Sequence, residues 1–202
     1  MGIAILTIIA YLFGAVPFGL LVARSRGINI REQGSGNIGA TNVFRCVGKG
    51  WGIFTLVLDA LKGFIPAFFF AKLAGLESEW GVLFGLAAII GHTFPVYLKF
   101  KGGKGVATSA GMLLGVAPAA VGVGLVFWII CMALSRYVSL SSIVAAIAVA
   151  VAVWLDPGQD SLIVKIALTI LALLVIWLHR ANVGRLLNGT ENRFGKKKGE
   201  EA

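Results

Sequence analysis

Cysteine and histidine are almost missing from this 202-residue chain, with two of each. Cys46 and Cys131 are too few for a disulfide framework, and no Cys/His cluster has the spacing of a zinc site, so no metal is expected. Charge is scarce as well: Asp, Glu, Lys and Arg make up 13% of residues, about half of the roughly 25% usual in globular domains. So apolar and charge-poor a chain is not a disordered one. Acidic residues are the rarest, nine against eighteen basic ones, for a formal net charge of +9. That excess does not describe a soluble nucleic-acid binder, because 58% of the chain is apolar. Glycine, by contrast, is abundant at 27 residues, as in membrane helices that pack through close backbone contact. Such an interior needs lipid around it.

A spanning helix needs about 20 apolar residues. Ile3–Ala23, Trp51–Leu73, Trp80–Leu98, Val138–Leu155 and Leu162–Leu178 meet or approach that length. The first has no positive flank and no small-residue cleavage site, so it is expected to be a retained helix and not a signal peptide. Val106–Leu134 is too long: its 29 residues would make about 43 Å of helix, against a hydrocarbon core of about 30 Å. Pro118 lies near its middle, where a proline removes a helical hydrogen bond and clashes with the preceding turn. The run is therefore either one kinked helix or two short helices split at Pro118.

Lys and Arg accumulate on the cytoplasmic side of a membrane protein, and this decides between the two. Split at Pro118, the chain has seven spans, with fifteen Lys and Arg in the loops and tail on one side and none on the other. Unsplit, the counts are eight and seven. We therefore expect an all-α integral membrane protein of seven helices, two of them short, with its N-terminus outside and its C-terminus cytoplasmic. Trp51, Trp80, Tyr97, Tyr137, Trp154 and Trp177 fall near span ends, where aromatic belts form. Residues 1–202 read as a single polytopic domain with a short basic tail, 195–202, whose lysines suit anionic lipid.

The basic side carries four polar segments. The first, Gly34-Ser35-Gly36-Asn37-Ile38-Gly39-Ala40-Thr41-Asn42 with Arg45, matches G-x-G-x-x-G literally. A membrane helix precedes it where a dinucleotide fold needs a strand. What survives is an anion site built from glycine backbone N–H groups and polar side chains, or else a flexible polar turn. The second segment, Lys99 to Thr108, places Gly102, Gly103, Lys104 and Gly105 at a helix N-terminus, where free N–H groups and the positive dipole end favour phosphate. It is not a Walker A loop, because Gly105 stands where Ser or Thr is required. An ordinary positive-inside loop explains its lysines but not its glycines. The third segment, Arg136 to Ser142, puts hydroxyls at the mouth of a span. The fourth, His179 to Glu191, has the spacing of a short interfacial helix, with one acid, Glu191, among basic residues. His92 lies within the third span, where an ionisable residue is either functional or a hydrogen-bonded structural group. Asp59 and Lys62, spaced i, i+3 in the second span, can pair with each other.

These motifs, GSGNIGATNVFR (34–45), GHTFPVYLKFKGGKGVAT (91–108), RYVSLSS (136–142) and HRANVGRLLNGTE (179–191), resemble those of the bacterial PlsY family of acyl-phosphate:glycerol-3-phosphate acyltransferases. The resemblance runs from the first span to Phe194. It implies a seven-helix bundle in the bacterial inner membrane, with a site facing the cytoplasm. The implied reaction moves a fatty acyl group from acyl phosphate to the sn-1 hydroxyl of glycerol 3-phosphate, the first membrane step of phospholipid synthesis. It implies that His92, Lys104, Ser35 and Asn182 are catalytic. Arg45, Thr41, Asn42, Gly102, Gly103, Gly105 and Ser142 would bind substrate, and Glu191 would be structural. The implied partners are glycerol 3-phosphate, acyl phosphate and membrane lipid, with coupling to a soluble enzyme that produces acyl phosphate, and no nucleic acid. No cofactor is expected. An acyl phosphate is already activated, so the absence of a G-x-S-x-G nucleophile elbow fits that chemistry. Two phosphates held side by side and an aimed hydroxyl would supply catalysis by proximity and electrostatics. The rival reading is a transporter of a phosphorylated or anionic solute, since short helices and a midplane ionisable residue occur there too.

Overall fold

A computed structural model describes residues 2–195; the Lys196–Lys198 run and the rest of the expected basic tail lie outside the described residues. Regular structure among the described residues is helical throughout. Five segments are long and apolar enough to cross a membrane: Ile3–Ser25, Lys49–Leu73, Ser78–Leu98, Pro118–Ser135 and Val138–Leu155. Leu162–Leu178 makes a sixth when taken with Arg180–Leu187, from which it is bent by 51°. The chain divides into two compact units, 1–118 and 119–202.

In the first unit, the opening span is broken into α1 (Ile3–Gly14) and α2 (Phe18–Ser25). The sequence pattern predicts a continuous helix here, and Pro17 is the reason for the difference. Its ring forbids the helical bond to the preceding turn, and Val16 O is left to accept from Phe18 N at 3.1 Å. Helix α3 (Ala40–Cys46) leads into α4 (Lys49–Ile65), which continues through a π-helical turn at Pro66–Phe70 into α5 (Ala71–Leu73). Then come α6 (Gly81–Thr93) and α7 (Val106–Val116). The principal pairings are α1 with α6, α4 with α7, and α3 with α4. Small residues set the approach of α4 to α7: a Cβ on Gly63 would strike Thr108 O, and one on Gly111 would strike Ala60 O. That is the close backbone packing that replaces the hydrophobic drive between helices in lipid. Leu6, Ala10, Ala71, Phe84 and Ala87 form one buried apolar cluster, and Leu20, Val22, Ala23, Ile30, Ile38 and Val43 another.

Helix α7 stops at Val116, Ala117 leaves helical backbone (φ −149°, ψ 64°), and Pro118 opens the next helix, where proline's fixed φ and missing N–H cost nothing. The split at Pro118 is thus present. Only one of its two helices is short, however. α7 has 11 residues, whereas α8 (Pro118–Ser135) has 18, because no breaker intervenes before Arg136, whose φ is 60°.

The second unit holds α8, α9 (Val138–Leu155), α10 (Leu162–Leu178) and α11 (Arg180–Leu187). α9 lies along α10, tied near one end by Trp154 Nε1 donating to Thr169 Oγ1 at 3.0 Å. Gly124 of α8 gives Val149 of α9 its seat. α11 is the short helix expected of the fourth polar segment. Its hinge is His179, whose Nδ1 lies 2.8 Å from Val175 O.

Candidate active site

The first polar segment is shaped by one side chain. Asn42, buried on α3, places its amide nitrogen near the carbonyls of Ile30 (3.2 Å), Gln33 (3.0 Å) and Asn37 (2.9 Å), while its Oδ1 accepts from Ser35 N at 2.9 Å. Gly34 and Gly36 turn the loop at φ 58° and 70°, left-handed backbone that glycine adopts without strain. Ser35 and Arg45 are exposed and Thr41 is half-buried. Asn42 therefore folds the loop that presents Ser35.

The second segment closes onto its own preceding helix. Lys99 and Phe100 take left-handed backbone (φ 52° and 62°), which reverses the chain after the 3₁₀ turn Val96–Leu98. Gly102 N then donates to Thr93 O at 3.0 Å and Gly103 N to His92 O at 3.1 Å. The turn lies on His92 so closely that a Cβ on Gly103 would overlap the ring at Nε2. Gly105, at φ 74°, caps α7, and Lys104 stands half-buried between the glycines. The first turn of α7 follows directly, with the N–H groups that a helix start leaves without helical partners. Arg31 ties the two segments together, donating from Nη2 to Lys101 O at 2.6 Å. Thr93, Thr108 and Ser109, all buried near this turn, have hydroxyls without a hydrogen-bond partner.

His92 is buried, and its Nδ1 faces Asp59 Oδ1 at 3.7 Å. Asp59 pairs with Lys62, Nζ to Oδ1 2.9 Å, as the i, i+3 spacing allowed. The second partner of Lys62 lies beyond sequence spacing: its Nζ donates to Val16 O at 2.9 Å, beside the break at Pro17.

In the second unit, Glu191 receives three hydrogen bonds, from Ser139 Oγ (2.8 Å), Asn182 Nδ2 (2.6 Å) and Arg185 Nε (2.6 Å). Burial disfavours its charge, but the hydrogen bonds of Asn182, Ser139 and Arg185 outweigh that and hold the carboxyl below its ordinary value. Asn182 is buried on α11. Ser142, buried on α9, donates to Val138 O at 2.8 Å and accepts from Trp128 Nε1 at 3.4 Å. Thus Ser35, Thr41, Asn42, Arg45, His92 and the Gly102–Gly105 turn belong to residues 1–118, and Ser142, Asn182 and Glu191 to residues 119–202. Sequence reasoning passed over Arg31 and Ser139. For Ser139 the one signal was a hydroxyl on the expected helix opening; Arg31 had only its charge.

Among the described residues, an all-helical fold with several membrane-length spans and a cationic glycine turn capping a helix defines a polytopic membrane protein. Comparison with known proteins makes the class specific. The family model for glycerol-3-phosphate acyltransferase matches residues 4–189. The glycerol-3-phosphate acyltransferase of Geobacter sulfurreducens is 49% identical over 190 residues, 94% of this chain and 96% of its own. That of Aquifex aeolicus is 44% identical, over 94% and 97%. Two crystal structures of PlsY, an integral membrane glycerol 3-phosphate acyltransferase, superpose closely. Its glycerol 3-phosphate form does so with a TM-score of 0.90 at 41% identity, covering 96% of both chains. Its lysophosphatidic acid form gives 0.88 at 40% identity, again over 96% of both. The chain belongs to the glycerol-3-phosphate acyltransferase family and is a multi-pass membrane protein.

Proposed function

We propose that this chain transfers a fatty acyl group from acyl phosphate to the sn-1 hydroxyl of glycerol 3-phosphate. The hydroxyl oxygen attacks the acyl carbonyl, the bond from carbonyl carbon to phosphate oxygen breaks, and 1-acylglycerol 3-phosphate and inorganic phosphate leave. The observation that carries this reading is the glycine turn, folded back on His92 and Thr93 by two backbone hydrogen bonds, with Lys104 at its centre and α7 opening behind it. Such a turn combines a lysine cation, helix N–H groups and the positive dipole end, which together suit a phosphate dianion. Gly102, Gly103, Lys104 and Gly105 hold the phosphate of glycerol 3-phosphate in this reading. Ser35, Thr41 and Arg45 hold that of the donor, on a loop whose shape Asn42 maintains. Ser142 and Asn182 are the substrate residues of the second unit, and Glu191 fixes Asn182. The His92 ring has Gly103 against Nε2 and Asp59 beside Nδ1, so in this reading it supports the turn and the departing phosphate takes the hydroxyl proton.

The same reading counts α7 as a seventh span, with the N-terminus outside and the C-terminus in the cytoplasm of a bacterial inner membrane. The fifteen-to-none division of Lys and Arg supports it. At 1.5 Å per residue α7 covers about 16 Å, roughly half of the hydrocarbon core, so it starts or ends within the bilayer. Both compact units then serve one polytopic domain, supplied by a soluble enzyme that makes acyl phosphate. Purified protein in detergent, given acyl phosphate and glycerol 3-phosphate, should release phosphate and lysophosphatidate. A transporter would release neither, and robust turnover with acyl-CoA would refute the choice of donor.

A further inference from the structure

The second span carries two charges that the proposed chemistry does not use. Asp59 and Lys62 are 2% and 1% exposed, near the middle of Lys49–Leu73. Charges at membrane depth are expensive and are retained mainly where they act. A buried ion pair with no other task is often replaced by apolar side chains at no loss of stability.

Their contacts lead in one direction. Lys62 is fixed from two sides, by Asp59 and by the Val16 carbonyl at the Pro17 break, with the Phe18 ring 5.5 Å away. These groups and His92 line one narrow crevice. Across it, the Asp59 carboxylate faces His92 Nδ1. The Nε2 side of that ring is the surface on which Gly103 rests, and the backbone of His92 and Thr93 accepts the hydrogen bonds that close the turn. A shift of the ring at Asp59 is therefore a shift of the floor beneath Gly103 and Lys104. We propose that Asp59 and Lys62 are positioning residues for the glycine turn, acting through His92. Neither touches substrate. The ion pair sets the ring, and the ring sets the turn. The inference rests on that turn being the glycerol 3-phosphate site.

Steady-state kinetics of purified variants test it, with folding checked by gel filtration and circular dichroism. Asp59→Asn and Lys62→Met should each raise KM for glycerol 3-phosphate about tenfold, with kcat within about threefold and KM for acyl phosphate unchanged. The paired variant Asp59→Leu with Lys62→Met leaves no lone charge buried, so it carries the test should either single variant fail to fold. A merely structural pair would return wild-type kinetics in the paired variant, and that result would overturn the proposal. Positioning keeps the glycerol 3-phosphate KM high. Gly103→Ala pushes the turn off His92 directly and should raise the same KM. Combined with Asp59→Asn, it should do so by much less than the product of the two effects, since both act through one contact. A wild-type KM in Gly103→Ala would instead remove the turn from the glycerol 3-phosphate site. A raised KM in Gly103→Ala beside a normal one in the paired variant would leave the site standing and sink the positioning role.

Discussion

Removing the Glu191 carboxylate should free α11 from α9. Three donors converge on it, Ser139 and Asn182 from buried positions and Arg185 from a more exposed one. A hydrogen bond to a charged group is worth about 1.5–3 kcal/mol when buried, and an exposed ion pair about 0.5 kcal/mol. Taking the lower bound for the two buried donors and the exposed value for Arg185 gives about 3.5 kcal/mol. Every 1.4 kcal/mol is a factor of ten, so local opening of residues 180–187 should become roughly 300-fold more frequent in Glu191→Ala. Hydrogen–deuterium exchange read by mass spectrometry measures this directly, with α10 as the internal reference. The native carboxyl is held below its ordinary value of 4.5. A group depressed on folding adds stability above its unfolded value and loses it as pH falls towards the folded one. Protection of α11 in the wild type, corrected for intrinsic exchange, should therefore be flat from neutral pH down to about 5 and decline below that. Glu191→Ala should show no such decline. Wild-type exchange of 180–187 in the variant, at neutral pH, would refute the anchoring role.

Lys104→Ala should lower kcat/KM about tenfold to a hundredfold, since one charge-assisted phosphate contact is lost; wild-type kinetics would dismiss the phosphate turn. His92→Ala should lower kcat only several-fold while raising KM for glycerol 3-phosphate, because the ring supports the turn; a fall in kcat of roughly 10²–10⁴ with unchanged KM would make it the general base instead. Asn42→Ala should reduce expression and activity together by collapsing the Ser35 loop, and activity in a folded variant within about twofold of wild type would show that the loop holds its shape without it. Cysteines placed at Glu77 and Asp156 should react with an impermeant thiol reagent outside intact cells, and one at Gly189 should not; labelling at Gly189 would sink the orientation.

Apolar run length and the placement of Lys and Arg made the membrane spans readable, because both follow from lipid thickness and charge asymmetry and need no knowledge of packing. The break at Pro118 was readable for the same reason, since the run around it was too long. Pro17 escaped because a span of the right length with a proline inside it still satisfies the length rule. The break became visible only with its backbone. Polar motifs were located by composition, but the direction of their side chains depended on partners far along the chain. Asn42 was legible as a polar member of the glycine loop, but the bonds of its amide to the Ile30, Gln33 and Asn37 carbonyls depend on a local fold that spacing does not show. Arg31 was one cation among many until its bond to Lys101, seventy residues on, made it the tie between two segments. Lys62 shows the limit most clearly. Sequence spacing supplied one of its partners, Asp59, and a broken helix forty-six residues earlier supplied the other. The second partner matters because an i, i+3 pair leaves two of the three ammonium protons to find acceptors, and the Pro17 break offers one.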